Sequence, residues 1–328
     1  MRLVTFMGES GRQLAGAFID NDQTIVDLAA AHRALHGEDA PALSSILALI
    51  EGGDDAFDIA AETLKRAPSE AKVARSTVRL RAPVQPPPQI RDTSSFPLHL
   101  QQSADSGWRM RAQRAPDPEA AYQAMDRSED AAMLKAYDRQ PIYYKGNRFS
   151  VIGTDEDIIW PSFSKWMDFE LEFGFYIKGH ATDVSADKAR DHIFGYTIFN
   201  DMSARDAQFA EMAGRLGPAK GKDFDTGNVM GPCLVTADEM PDPYNLTMIS
   251  RINGEEWGRG SSSTMRWSFE EMIAHISQSE TLHPGEFIGS GACGNGCGFE
   301  HLRRLAPGDL IELEVEGIGV LSNRLIKR

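Results

Sequence analysis

Two glutamates pose the first chemical question. In Phe169–Glu170–Leu171–Glu172–Phe173–Gly174–Phe175–Tyr176–Ile177 the apolar residues recur at every second position. Such alternation predicts a strand with Phe169, Leu171, Phe173, Phe175 and Ile177 on one face and Glu170, Glu172, Gly174 and Tyr176 on the other. Carboxylates two residues apart on a strand start roughly 7 Å apart at their bases. They can converge on one divalent ion, and without a cation they repel. The same pattern is ordinary on the wet face of a half-buried strand. Glu312, Glu314 and Glu316, which alternate with Ile311, Leu313 and Val315, read as such a solvated face.

Three further segments carry candidate groups. Asn200–Gln208 follows a predicted strand, Phe194–Phe199, and reads as part of a helix over Asn200–Met212. That helix would put Asp201, Arg205 and Gln208 on one face. The plainer alternative is an N-cap aspartate with a surface Asp201–Arg205 pair, worth roughly a few tenths of a kcal/mol. Gly221–Lys222, followed by Thr226 and Gly227, offers an ammonium and a hydroxyl to a carboxylate or enolate oxygen, or is an exposed turn. It lacks the Walker spacing, so it is not a nucleotide phosphate loop. Arg91–His99 supplies another acid, Asp92, and one of eight histidines, His99, for which a structural or exposed role is equally open. Cys293 and Cys297 have no second cysteine pair to complete a zinc site, and read as buried thiols in a Gly-rich turn.

The elements that must position these groups divide into two parts. Residues 1–82 read as a small α+β lobe, with strands at Leu3–Phe6, Ala15–Ile19 and Thr24–Val26 and helices near Leu43–Ile50 and Phe57–Arg66. Pro83–Val84–Gln85–Pro86–Pro87–Pro88 reads as a stiff linker, which sets a boundary before a larger domain, 83–328. Within that domain 103–140 is an irregular insertion, with helical stretches at Ala120–Met125 and Glu129–Tyr137, long enough to serve as a lid. Ser268 and Glu271 form a capping-box pattern opening a helix to about Ser279, and Leu310–Glu316 reads as a late strand after a Pro307–Gly308–Asp309 turn. Strands outnumber helices and do not alternate with them. The expected class is therefore α+β, mainly β, and not a doubly wound parallel sheet.

Composition narrows the functions. The 328 residues are 41% apolar and 25% charged, a globular balance with enough chain for a sizeable core. A net charge of −14 opposes nucleic acid and anionic membrane surfaces as partners. A site for an acidic substrate must then bring its own positive charge, from a metal or from Arg and Lys. Three cysteines make no disulfide scaffold and fit a reducing cytosol. The first residues carry no secretory pattern, and no apolar run approaches the roughly 18 residues of a membrane helix. A soluble cytoplasmic protein acting on a small molecule is the expectation.

Taken together, the segments resemble the fumarylacetoacetate hydrolase family over roughly 83–328. Asn200-Asp201-Met202-Ser203-Ala204-Arg205-Asp206 is the most specific part. The Glu-x-Glu strand about 30 residues before it and the Gly-Lys about 20 after it match in order. The resemblance implies a β-sandwich roll for the catalytic domain and a homodimer. It implies Mg²⁺, with Ca²⁺ or Mn²⁺ as alternatives, among Glu170, Glu172, Asp201 and the further aspartate Asp92, with Thr226 beside the metal. An all-carboxylate set is what a hard cation prefers. It also implies His99, seven residues after Asp92, as a general base held by Glu300. Arg205, Gln208, Lys222 and Tyr144, in Tyr-Lys-Gly-Asn, would line the substrate site. This chain departs from the family in a longer segment between His99 and Tyr144, in Asp225 where glycine is usual, and in one extra residue between Asp201 and Lys222.

The expected activity is metal-dependent hydrolysis of a carbon–carbon bond in a small 1,3-diketo acid, of the fumarylacetoacetate or acylpyruvate kind met in aromatic catabolism. Hydratase, decarboxylase or tautomerase chemistry on the same scaffold is the alternative, because a fold does not fix a reaction. A non-catalytic metal- or ligand-binding protein is the third reading. It would need the carboxylates but not His99, Arg205 and Lys222.

Overall fold

In the computed structural model, which describes all 328 residues, the alternating segment forms a strand over Leu171–Ile177 with every residue buried. It lies inside a 12-stranded sheet, paired antiparallel with Ile193–Asp201 on one side and with Phe287–Gly289 on the other. Phe287–Gly289 runs parallel to Ile90–Thr93, which pairs in turn with Tyr143–Gly146. A five-stranded sheet that includes Thr247–Ile252, Leu310–Val315 and Gly319–Ile326 packs against the large one. The core between them takes Phe173, Ile198 and Val229 from the first sheet and Met248, Leu313 and Leu321 from the second.

Burial on both faces changes what the two glutamates mean. Phe173 and Phe175 meet Phe269 with ring centroids 5.0 and 4.8 Å apart. Tyr176, on the opposite face, meets Phe287 at 5.2 Å within a second apolar cluster that includes Leu49 and Ile50 of the N-terminal helices. Glu172 therefore has no wet face to occupy. On Leu310–Val315, by contrast, Glu312 and Glu314 are half-buried between buried apolar neighbours, and Glu316 just beyond is exposed, as expected of a solvated face.

The first 82 residues hold the three expected strands and the helices Leu28–His36, Ile46–Glu51 and Gly53–Lys65, the first of which sequence reading missed. They do not build a sheet of their own, since Arg2–Met7 pairs antiparallel with Asn228–Thr236. The proline cluster is likewise packed in: Pro83, Val84 and Pro87 are buried, and the Pro83 and Pro87 carbonyls accept from Thr5 and Arg148. No helix is long and apolar enough to cross a membrane.

Three helices follow Asp92: Pro97–Ala112, Pro118–Gln123 and Ser128–Arg139. Pro97 occupies the first turn of its helix, where the missing N–H costs nothing. Arg127 stacks over Trp108 and Tyr122 at 4.5 and 4.7 Å, and Trp108 donates to Asp130, which ties the three helices together. The segment 103–140 is thus more ordered than its composition suggested.

The helix expected over Asn200–Met212 begins only at Arg205. Asn200 and Asp201 end the preceding strand, held extended by pairing with Val229 and Asn228. Sheet pairing from a distant segment overrides the local helical spacing. Ser268 and Glu271 form the expected capping box, and the helix they open, Phe269–Ile276, stops three residues short of Ser279.

Candidate active site

Three carboxylates from three strands converge. Asp92, Glu172 and Asp201 offer oxygens all within 4.8 Å of one another, and all three residues are buried. Glu172 stands on the Leu171–Ile177 strand, Asp201 ends its neighbour, and Asp92 is opposite Gly289 on the strand beyond. A Cβ built on Gly289 would lie 2.5 Å from Asp92 Oδ1 and 3.2 Å from Glu172 Oε2. Only glycine leaves the acids room to approach.

The charge of this cluster is largely unanswered by protein groups. Asp92 Oδ1, both oxygens of Glu172 and Asp201 Oδ1 are buried without a hydrogen-bond partner. Burial, with its carboxylate neighbours, pushes Asp201 up to about 8 although Lys222 opposes the shift. Asp92 is pushed up to about 6, chiefly by burial. Glu172 lies well above the usual carboxylate range through burial and the charges of Asp92 and Asp201. Orphaned, mutually repelling oxygens fit a hard divalent cation, which would satisfy them all at once.

Glu170 lies beside this cluster on the cationic side. Arg205 Nη1 donates to its Oε1 at 2.7 Å, and Lys222 Nζ to its Oε2 at 2.5 Å. Burial works against its charge, but Lys222, Arg205 and His99 together hold it well below the usual carboxylate range. Lys222 also donates to Asp201, and Tyr144 donates its hydroxyl to the same Asp201 oxygen at 2.6 Å. The structure thus groups three of the expected metal-site acids and places Glu170 on Arg205 and Lys222. Thr226 accepts from the Ile159 amide at 2.8 Å.

His99, in the first turn of its helix, completes the wall. Its Nδ1 lies 3.0 Å from Glu300 Oε1, and its Nε2 is 3.9 Å from Glu170 Oε1. Burial pulls the imidazole pKa down, but Glu300, helped by Glu170, outweighs it and leaves the pKa raised. The other Glu300 oxygen accepts from the Cys297 amide at 2.9 Å, so the Gly-rich turn orients the acid that orients the histidine. All three cysteines are free and buried, as expected for Cys293 and Cys297.

Sequence reading missed Asp168. This buried residue accepts from Arg205 Nε and Nη2 at 2.9 and 2.7 Å and from the Gly298 and Phe299 amides at 2.9 and 3.0 Å. One carboxylate thereby anchors both Arg205 and the turn bearing Glu300. Its signal was the parity it shares with Glu170 and Glu172 in Asp-Phe-Glu-Leu-Glu. Arg205 holds Gln208 through Nη1 at 3.0 Å, and Gly221 lets the Lys222 turn press against Gln208.

Asp92, His99, Tyr144, Glu170, Glu172, Asp201, Arg205, Gln208 and Lys222 all line one cavity of about 960 Å³. Glu300 acts on it through His99. Buried acids, a histidine–carboxylate pair and two buried cations around one cavity can bind an ion, receive an anionic keto acid and move a proton.

Residues 117–326 match the family model described as fumarylacetoacetate (FAA) hydrolase, C-terminal. The mitochondrial oxaloacetate tautomerase FAHD2A of Bos taurus is 35% identical over 191 residues, 57% of this chain and 60% of that protein. Its Homo sapiens counterpart is 33% identical over 189 residues, with the same shares. The aligned stretch thus spans about three-fifths of those relatives. Two solved structures share the fold over the whole of both chains. A fumarylacetoacetate hydrolase from Exiguobacterium antarcticum has a TM-score of 0.73 at 24% identity, and a maleylpyruvate hydrolase from Sphingobium has 0.71 at 20%.

Proposed function

This chain belongs to the fumarylacetoacetate hydrolase family, and from that premise we propose that it is a divalent-metal-dependent hydrolase splitting a carbon–carbon bond of a small 1,3-diketo acid. The observation that carries this reading is the His99–Glu300 pair at 3.0 Å on a histidine that lines the cavity, its second ring nitrogen 3.9 Å from Glu170 and without a hydrogen-bond partner within 3.5 Å. Hydrolysis needs an activated water, and an oriented imidazole supplies the base.

Asp92, Glu172 and Asp201 would hold the ion, and Mg²⁺ is the proposed occupant, with Ca²⁺ or Mn²⁺ as alternatives. Glu170 would join them only on release from Lys222, and Thr226 only on release from the Ile159 amide. Once bound, the cation supplies positive charge that polarises a carbonyl of the keto acid. Arg205 and Lys222 give the substrate carboxylate local positive charge on an otherwise anionic protein, and Gln208 and Tyr144 fix its orientation. His99 takes a proton from water while Glu300 stabilises the imidazolium. The hydroxide adds to the acyl carbon, and Arg205 and Lys222, which line the cavity, would stabilise the oxyanion that forms. Collapse breaks the bond to the methylene carbon, whose electron pair becomes the enolate of the departing 2-oxo acid. The imidazolium returns its proton to that carbon, leaving two acids.

The names of the Bos taurus and Homo sapiens relatives favour a second reading, tautomerisation of a 2-oxo acid. There His99 would move a proton between carbon and oxygen with no water consumed. The test is the Mg²⁺-loaded protein with acylpyruvates, fumarylacetoacetate and oxaloacetate, with products identified by mass. Two acids from a diketo acid support hydrolysis, and a His99→Ala variant should then lose about 10²–10⁴-fold in rate with metal affinity intact. Enol–keto exchange without cleavage would replace the proposal with the second reading.

A further inference from the structure

The cavity is larger and more apolar than a compact diketo acid requires, and its shape follows from one helix. The buried charged groups of the site line one part of it. The rest of its wall includes Met110, Met133, Ile142, Phe209 and Met212, with Arg111, Arg114, Asp130 and Arg215 also lining it. Phe209 and Met212 are 44% and 45% exposed, which leaves large apolar surface in water unless something covers it. About 960 Å³ is the upper end of the range for drug-sized ligands, and a four-carbon diacid would fill little of it.

The Pro97–Ala112 helix carries His99 and then, on the same face at four-residue steps, Ser103 and Gly107. All three line the cavity, as does Ala104. A Cβ on Gly107 would meet nothing within 4 Å, and its backbone is ordinary helix. No turn and no close approach demands glycine there, and a helix-interior glycine costs stability. Its visible effect is to keep the channel beyond His99 open. Gly107 stands eight residues, or about 12 Å, along the helix from His99. All of this helix lies before residue 117, where the family match begins.

We propose that the substrate carries an apolar arm of roughly six to ten carbons beyond its diketo-acid head, running from His99 past Ser103 and Gly107 between the methionines and Phe209. This rests on the hydrolase reading for the head group alone. Methionines suit such an arm because they adapt to alkyl and aryl shapes. Exposed Arg111, one turn beyond Gly107, and Arg114, just past the helix end, line the same cavity and would draw the acid in against the net negative charge.

The test compares acetyl-, hexanoyl- and decanoylpyruvate with the Mg²⁺-loaded wild type, Gly107→Leu and Gly107→Ala. Both substitutions raise helix propensity, so misfolding is not expected. Cleavage is read by product mass, tautomerisation by enol absorbance, and binding by thermal stabilisation. In the wild type kcat/KM should rise at least about tenfold from the acetyl to the longer arms. Gly107→Leu should remove that gain and leave acetylpyruvate within about twofold, while Gly107→Ala leaves all three within about twofold. A gain seen only in tautomerisation or binding keeps the arm and refutes the hydrolase reading. No gain with length in any readout, or an equal loss on all three acids in Gly107→Leu, overturns the arm.

Discussion

Adding Mg²⁺ to chelator-treated protein at pH 7 should release about one proton or more for each ion bound. With its pKa at about 6, Asp92 is already largely ionised at this pH. Asp201, at about 8, is largely protonated, and burial with the same carboxylate neighbours raises Glu172 as well. All three must be carboxylates to hold the ion, so at least one proton has to leave. The apparent affinity should then climb by at least about tenfold per pH unit near pH 7 and more shallowly above about pH 8, where Asp201 has ionised beforehand. The assay is titration calorimetry in buffers of different ionisation enthalpy, whose slope counts the protons. Glu172→Gln removes one of the three acids that would hold the ion, so its Mg²⁺ affinity should drop. The same shifts set the stability of the ion-free protein. These acids are raised in the folded state, which holds protons that the unfolded chain has lost, so stability falls as pH rises from the ordinary carboxylate range through about 8. Release near zero at pH 7, or Mg²⁺ affinity unchanged in Glu172→Gln, would refute the three-carboxylate site.

Two further outcomes test the groups around it. Glu300→Gln removes the carboxylate that outweighs burial in raising the His99 pKa. The acid limb of kcat/KM should therefore move to lower pH, with a loss at the optimum smaller than the about 10²–10⁴-fold cost of removing the base; an unmoved limb in the pH–rate profile would separate Glu300 from His99. Asp168→Asn cannot accept from four donors at once, and turns an amide N–H against the Gly298 or Phe299 amide. It should cost about 3 kcal/mol in urea unfolding, the low end for a broken buried pair because Arg205 keeps Glu170, and a loss under about 1 kcal/mol would show that Asp168 is not the anchor.

Much of the candidate site was legible as residue types and spacing. The alternation around Glu170 and Glu172 predicts a strand, and Asp92, His99, Arg205, Gln208 and Lys222 stand out in short segments that one cavity brings together, while Tyr144 comes only from the family resemblance. What local reading misjudged was context. The helical spacing of Asp201, Arg205 and Gln208 was real, yet pairing with Asn228 keeps Asp201 in a strand. The proline cluster looked like a linker because stiffness is visible in sequence and burial is not.

By itself, the sequence determined where apolar faces and ionisable groups lie along the chain, because alternation and capping are local and act within a few residues. Only the tertiary structure decided which acids meet. Asp92, Glu172 and Asp201 come together through strand pairings that run by way of Gly289, and Glu300 reaches His99 across 201 positions of chain. It also decided which way each acid's pKa moves: Glu170 and Glu172 are two residues apart and of one type, yet Arg205 and Lys222 reach the first and lower it, while the second is raised, buried among like charges. A pKa depends on burial and on neighbours in space, and neither is written in the spacing of residues along a strand.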